Sequence, residues 1–294
     1  FVDDRGNKAE AVQERTLSLI RTSETTGYYV DVFRSDSKLP DEFHDYLYHN
    51  IGDELEFMNQ DLSLTPTPRR YMENADLPWV QNRQYRHPGW HFFEDVQSTA
   101  EYNQDVKVCF RSEKFDPSIF MNLHIPGFEN REYTKVKAPH TFQAPKPYKN
   151  EPTPTLVIRK KGEAWDHPFV VVYEPHTGNN AVKSVEKLQQ NGIYCGLKVE
   201  SVIDNKTIIQ YIFTQQPNQK FQDEALGITF DGTFAIITKD NEDKLINMYM
   251  GSGKKLSFGK TSIISDRNNG NGYVNAMNEQ IKFKSSSNAK LTVQ

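Results

Sequence analysis

The chain is 294 residues long, with 36% hydrophobic residues, 12% aromatic residues and a formal net charge of −4. That length supports one large or two ordinary domains, and 18 Phe, 14 Tyr and 3 Trp are too many large rings for a disordered polymer. No concentrated run of Lys or Arg provides the electrostatic footprint of a nucleic-acid binder. No window approaches the roughly 18 uninterrupted apolar residues that a helical bilayer span needs, and mean hydropathy is −0.72.

Period-2 alternation and β-branched runs recur along the chain, while capped amphipathic helical windows are nearly absent, so the predicted fold is all-β. The chain opens on Phe1-Val2-Asp3-Asp4 without an initiator Met, which reads as a processed product or a fragment. The runs Arg15 to Arg21 and Tyr28 to Arg34 flank a polar connection ending at Gly27, a hairpin signature. His44 to His49 supplies a third strand. Further strands are predicted at His91 to Val96, Asp105 to Arg111, Ile119 to Ile125, Thr155 to Lys160, Phe169 to Tyr173, Tyr194 to Val202, Thr207 to Thr214, Leu226 to Thr238, Lys244 to Met250 and Ala289 to Val293. So many short strands predict layered antiparallel sheets. Pro-rich sequence between His140 and Pro154 reads as a linker, which places a boundary near residue 150. The expected domains are therefore a layered antiparallel β region over 1–150 and a smaller C-terminal β-sandwich over 151–294.

Cys109 and Cys195 lie in strand-like runs without CxxC spacing. They read as buried free thiols, with a disulfide between them the alternative.

Four segments gather chemistry. In Glu42 to Asn50, strand alternation puts His44, Tyr46 and Tyr48 on one face and Asp45, Leu47 and His49 on the other, so the two histidines do not chelate one ion as a pair. His49 reads either as a hydrogen-bonded structural histidine or as a single metal ligand whose partners lie elsewhere. Around Arg86 to Asp95, Trp90 suits the face of a pyranose ring, or equally an aromatic core plug. In Asn122 to Tyr133, Arg131 offers a planar fork for a carboxylate or sulfate, or else merely solvates a turn. In Gly162 to Pro175, Asp166 and His167 precede an apolar strand; adjacent residues of an extended chain face opposite ways, so the pair is weak evidence for a general base. No P-loop, GxGxxG, HExxH or GxSxG occurs in a credible context, which disfavours nucleotide chemistry and serine hydrolysis.

In order, Gln13-Glu14-Arg15-Thr16-Leu17, Tyr29-Val30-Asp31-Val32-Phe33-Arg34, His44-Asp45-Tyr46-Leu47-Tyr48-His49, Pro88-Gly89-Trp90-His91-Phe92-Phe93 and Gly162 to Val170 resemble the C-terminal half of heparinase II/III-like polysaccharide lyases. The resemblance reaches from residue 13 to about 174 and continues more weakly into Gly196 to Val202. It implies a supersandwich-like β region that follows an α/α toroid, a secreted or periplasmic protein, and cleavage of uronate-containing polysaccharides by β-elimination. In that chemistry a Tyr or His base removes the C5 proton, polar groups neutralise the carboxylate and the C4 oxygen leaves protonated. This chain has no candidate for the toroid, which on this reading lies upstream or on a second chain; the base-bearing part is then missing and these residues alone are expected to be inactive. Arg34, His44, Trp90 and Arg131 are the implied contacts to an acidic polysaccharide. The resemblance also implies a structural zinc at His49, with His44 as the alternate and Asp3 or Asp4 among the other ligands. A non-catalytic carbohydrate-binding β-sandwich and a structural subunit completing another chain's lyase are the competing readings.

Overall fold

The computed structural model describes residues 11–38, 43–70, 92–276, 281–286 and 288–293. All the regular elements among them are strands. In chain order these are β1 (Ala11–Arg21), β2 (Gly27–Ser37), β3 (Phe43–His49), β4 (Glu54–Phe57), β5 (Thr65–Pro66), β6 (Glu94–Ser98), β7 (Val106–Ser112), β8 (Ile119–Ile125), β9 (Glu132–Ala138), β10 (Thr153–Lys161) and β11 (Ala164–His176). The rest are β12 (Val182–Gln190), β13 (Ile193–Ile203), β14 (Lys206–Thr214), β15 (Lys220–Asp223), β16 (Ile228–Asp240), β17 (Leu245–Phe258), β18 (Thr261–Ser265), β19 (Gly270–Asn275), β20 (Lys282–Lys284) and β21 (Ala289–Val293). The expectation of an all-β, antiparallel, layered fold holds.

Two compact units divide the chain. The first holds Tyr28–Asn180 with the body of β1, and the second holds Ala181 onward with Ile20–Gly27. The first unit has a six-stranded sheet, ordered β1-β2-β11-β8-β7-β4, and a five-stranded sheet, ordered β3-β10-β9-β6-β5. Val108, Phe110, Leu123, Phe169 and Val171 from one sheet pack against Tyr46, Tyr133, Leu156 and Ile158 from the other. Burying each of these side chains contributes about 2 kcal/mol. Alternation along β3 follows the sequence expectation: Tyr46 and Tyr48 join this core, while Leu47 packs on the opposite face with Val96, Val136 and Val157.

The division falls at Asn180, not near residue 150. After the Pro-rich stretch, β10 inserts between β3 and β9 in continuous register, from Thr155 opposite His49 to Lys161 opposite Phe43. β11 likewise lies between β2 and β8. The prolines therefore shape a loop inside the first unit, and without β10 its five-stranded sheet would lose the strand that joins β3 to β9.

The second unit is a ten-stranded antiparallel sheet whose main path runs β12-β13-β14-β16-β17-β18-β21. β17 pairs β19 through Asn247 to Met250 and β18 through Lys255 to Phe258, with a register shift between Met250 and Gly253. Such shifts bend a strand, so the sheet curls around one core of Phe213, Phe230, Ile237, Met248, Met250, Leu256 and Val274. Cys109, in the first unit, and Cys195, in the second, are both buried free thiols.

Candidate functional site

One cluster of polar residues in the first unit lies where β11 leaves its ladder. Ala164 pairs with Ser35 and Phe169 with Phe33, so five steps along β11 span two along β2 and the intervening residues bulge. Bulges of this kind re-aim side chains and are common beside active sites. Trp165, Asp166 and His167 ride on the bulge, half-buried.

Glu163 organises it. Its carboxylate accepts from the backbone N–H of Trp165 at 2.7 Å, the N–H of Asp166 at 2.9 Å, His167 Nδ1 at 2.5 Å and Lys160 Nζ at 3.3 Å. Burial alone would push this carboxyl up; the His167 ring, the Trp165 N–H, Lys160 and the Asp166 N–H outweigh it and hold the pKa at about 2. Because Nδ1 of His167 donates to a carboxylate, Nε2 is left with the lone pair in the neutral ring. Lys160, buried at the end of β10, also donates to Glu129 at 2.7 Å.

Arg34 and Arg131 hold the bulge from beneath. Arg34, on β2, donates through Nη1 to the carbonyl of Trp165, and Arg131 donates through Nη2 to the carbonyls of Pro168 at 2.7 Å and His167 at 3.2 Å. Arg131 is 1% exposed and its guanidinium lies 5.1 Å from the rings of both Phe128 and Phe169, while its Nε and Nη1 are buried without a hydrogen-bond partner. Burial lowers its pKa, with Tyr133, Glu129 and Glu163 opposing. Both arginines thus brace backbone carbonyls instead of offering open forks to solvent. His44 lies 8% exposed with Nδ1 at 2.7 Å from Ser35 Oγ. Its pKa is lowered by burial and Lys160, against the pull of Asp36, Asp45 and Glu163, so the ring is neutral at pH 7. Trp90, Asp3 and Asp4 lie outside the described residues.

His49 faces away from this cluster. Its Nδ1 is 2.7 Å from Thr155 Oγ1, whose hydroxyl hydrogen is directed to the Thr153 carbonyl at 3.1 Å, so Nδ1 carries a proton and Nε2 the lone pair. Among the described residues, Glu129, Glu163 and His167 are the group that brings three potential metal donors within 4.8 Å of one another, and His49 belongs to no such group. A structural zinc takes four protein ligands, of which His49 supplies one, and the other expected donors, Asp3 and Asp4, lie outside the described residues. At Glu129, Glu163 and His167 the buried ammonium of Lys160 already answers the carboxylate charge.

A second buried network escaped the sequence reading. Asp31, fully buried on β2, accepts from Arg15 Nε at 2.9 Å and Nη2 at 2.5 Å and from Tyr46 OH at 2.6 Å, and the Tyr46 hydroxyl also meets that of Tyr173. Burial, reinforced by Tyr173 and Asp31, raises the pKa of Tyr46 well above its ordinary value, and burial does the same at Tyr173, so both hydroxyls keep their protons near neutral pH. The available signal was a lone Asp between Val30 and Val32: an acid inside an apolar strand requires a partner.

Residues 182–276 match the family described as the endo-acting ulvan lyase C-terminal domain. The match starts where β12 starts and ends just past β19, inside the second unit. Over 270 residues, 90% of this chain, the sequence is 39% identical to an endo-acting ulvan lyase of Formosa agariphila. The aligned region covers 32% of that protein, so the chain spans about a third of the length of the curated relative it matches.

Proposed function

We propose that this chain is the β-sheet portion of a polysaccharide lyase that cleaves a uronate-containing polymer of the ulvan class by β-elimination, acting within the polymer and outside the cytoplasm, where such a polymer is met. The observation that carries this reading is the 39% identity to an endo-acting ulvan lyase across 90% of the chain, including the bulge segment. In the elimination, a base takes the C5 proton, the electron pair forms the C4=C5 bond, and the C4–O bond breaks with a proton delivered to the leaving oxygen. Stabilising the enolate charge requires donors fixed in place before reaction. The β11 bulge offers such rigidity: Glu163 fixes the backbone of Trp165 and Asp166 and the ring of His167, while Arg34 and Arg131 hold the carbonyls beneath. In this reading Trp165 and His167 face the sugar, and Arg34, His44 and Arg131 are positioning residues. The heparinase II/III-like arrangement completes the proposal, with base and acid supplied by an α/α toroid outside these residues.

The test is the ultraviolet absorbance of the unsaturated uronate on incubation with ulvan, alginate or chondroitin sulfate. We expect no product from the 294-residue chain and product once the preceding part of the lyase is joined to it, with ulvan preferred. In that longer protein, His167→Ala is expected to lower kcat/KM by at least about tenfold, the scale of about 1.4 kcal/mol in transition-state binding. Product from the 294 residues alone, or unaltered kcat/KM in His167→Ala, contradicts the assignment.

A further inference from the structure

In the second unit, Tyr249 on β17 lies directly opposite Tyr273 on β19, which lies opposite Lys284 on β20; the neighbouring row is Asn247, Asn275 and Lys282. Directly paired residues of antiparallel strands point to the same face. Met248, Met250 and Val274, which alternate with these positions, fill the core. The other face therefore presents two parallel rows, one aromatic and one of amides, each ending in an exposed lysine.

Tyr249 is 40% and Tyr273 36% exposed, although both sit in the body of the sheet. The Tyr249 ring lies over Gly251: a Cβ there would stand 3.1 Å from ring Cε1 and 2.8 Å from Phe234 Cδ1. Phe234 meets Tyr249 edge-on, at 6.2 Å and 72°. Tyr273 leans toward Asn275, whose Nδ2 donates to its hydroxyl at 3.4 Å. In antiparallel strands these two leanings run in opposite directions, so the aromatic surface is elongated along the sheet. Beside it opens a recess of about 450 Å³ bordered by Tyr249, Tyr273, Asn271, Lys284 and Ser285, with no carboxylate among the described residues that line it.

We infer that this face is a second binding site, for an acidic polysaccharide, with sugar rings packing on Tyr249 and Tyr273 and their carboxylate or sulfate groups paired with Lys282 and Lys284. Aromatic rings supply area to the apolar faces of pyranoses, amides match their hydroxyls, and ammonium groups select for anions. The proposal concerns binding alone and holds whether or not the chain takes part in elimination.

The test is native affinity electrophoresis of the 294-residue chain through gels containing ulvan, chondroitin sulfate, alginate or neutral dextran. Retardation is expected in the acidic gels and not in dextran; retardation by alginate assigns recognition to carboxylates, and its restriction to the sulfated polymers assigns it to sulfates. Tyr249→Ala with Tyr273→Ala is expected to weaken binding at least about tenfold, as truncation of aromatic anchors does. Lys282→Glu with Lys284→Glu, both at exposed positions, is expected to do the same at an unchanged unfolding midpoint. Wild type that is not retarded by any acidic gel, that is retarded equally by dextran, or that is matched by both double variants overturns the inference. None of these results alters whether unsaturated product forms, so this proposal and the lyase assignment fail separately.

Discussion

At Glu163 the folded chain holds a carboxyl at about 2, against 4.5 as its ordinary value. Between those values the unfolded chain binds more protons, so the contribution of Glu163 is fully present above pH 4.5 and is lost as pH falls toward 2. His44, His49 and His176, whose pKa values burial lowers, act in the same direction from 6.5 downward. Urea midpoints measured down this range are expected to fall, and in Glu163→Gln to fall less steeply between pH 4.5 and 2; an unchanged slope means that the carboxylate does not hold the bulge. Asp31 gives a second prediction. Arg15→Ala leaves a buried carboxylate with Tyr46 as its remaining partner and is expected to cost about 2 kcal/mol, below the roughly 3–5 kcal/mol of breaking a fully buried pair because Arg15 is more than half exposed. Asp31→Asn keeps an acceptor for Tyr46 and is expected to cost less, as read from urea midpoints at constant slope. The need for a partner at Asp31 was legible in the sequence. The choice of Arg15 was not, because it depends on pairing between strands. For the same reason the sequence offered Arg34 and Arg131 as contacts to an acidic sugar: nothing local shows that the bulge of β11 presents its carbonyls to them.

The bulge rests on Phe169, the residue at which β11 rejoins β2. Its ring is fully buried, stacks at 5.8 Å on Tyr46 and 6.1 Å on Phe33, and lies 5.1 Å from the Arg131 guanidinium. Phe169→Ala is expected to destabilise the first unit by about 3–5 kcal/mol, while Phe169→Leu, which keeps most of the volume, costs about 1.5 kcal/mol. A small loss for Ala would mean that Tyr46 and Phe33 collapse into the space. Elements of this kind were the most legible: the apolar run Phe169 to Tyr173 and the alternation of His44 to His49 both announce their strands. β12 was missed because Val182–Gln190 is rich in Lys, Glu and Gln, good helix formers, and its extended form is imposed by pairing with β13. The Pro-rich stretch misplaced the boundary because composition distinguishes a loop from an element, not a loop within a unit from a linker between units. That distinction rests on β10 pairing with β3, more than 100 residues earlier.

Each unit has its own closed hydrophobic cluster, one centred on Phe110, Leu123 and Phe169 and the other on Phe213, Phe230 and Met248, and each is of the size at which a domain sustains an independent core. Separate cores predict separate melting. Differential scanning calorimetry of the 294-residue chain is expected to resolve two transitions, each assigned by one substitution. Phe230, fully buried and 5.3 Å from Phe213, reports on the second unit; Phe230→Ala is expected to cost about 3–5 kcal/mol. For a unit of this size that loss lowers its Tm by roughly 10 °C or more while leaving the other transition in place. Phe169→Ala should move the other transition and not this one. If both substitutions lower a single shared transition, folding of the β11 bulge is coupled to that of the Tyr249–Tyr273 face, and variants at one site would have to be read for effects on the other. Two independent transitions instead make each surface testable by substitution without disturbing its neighbour.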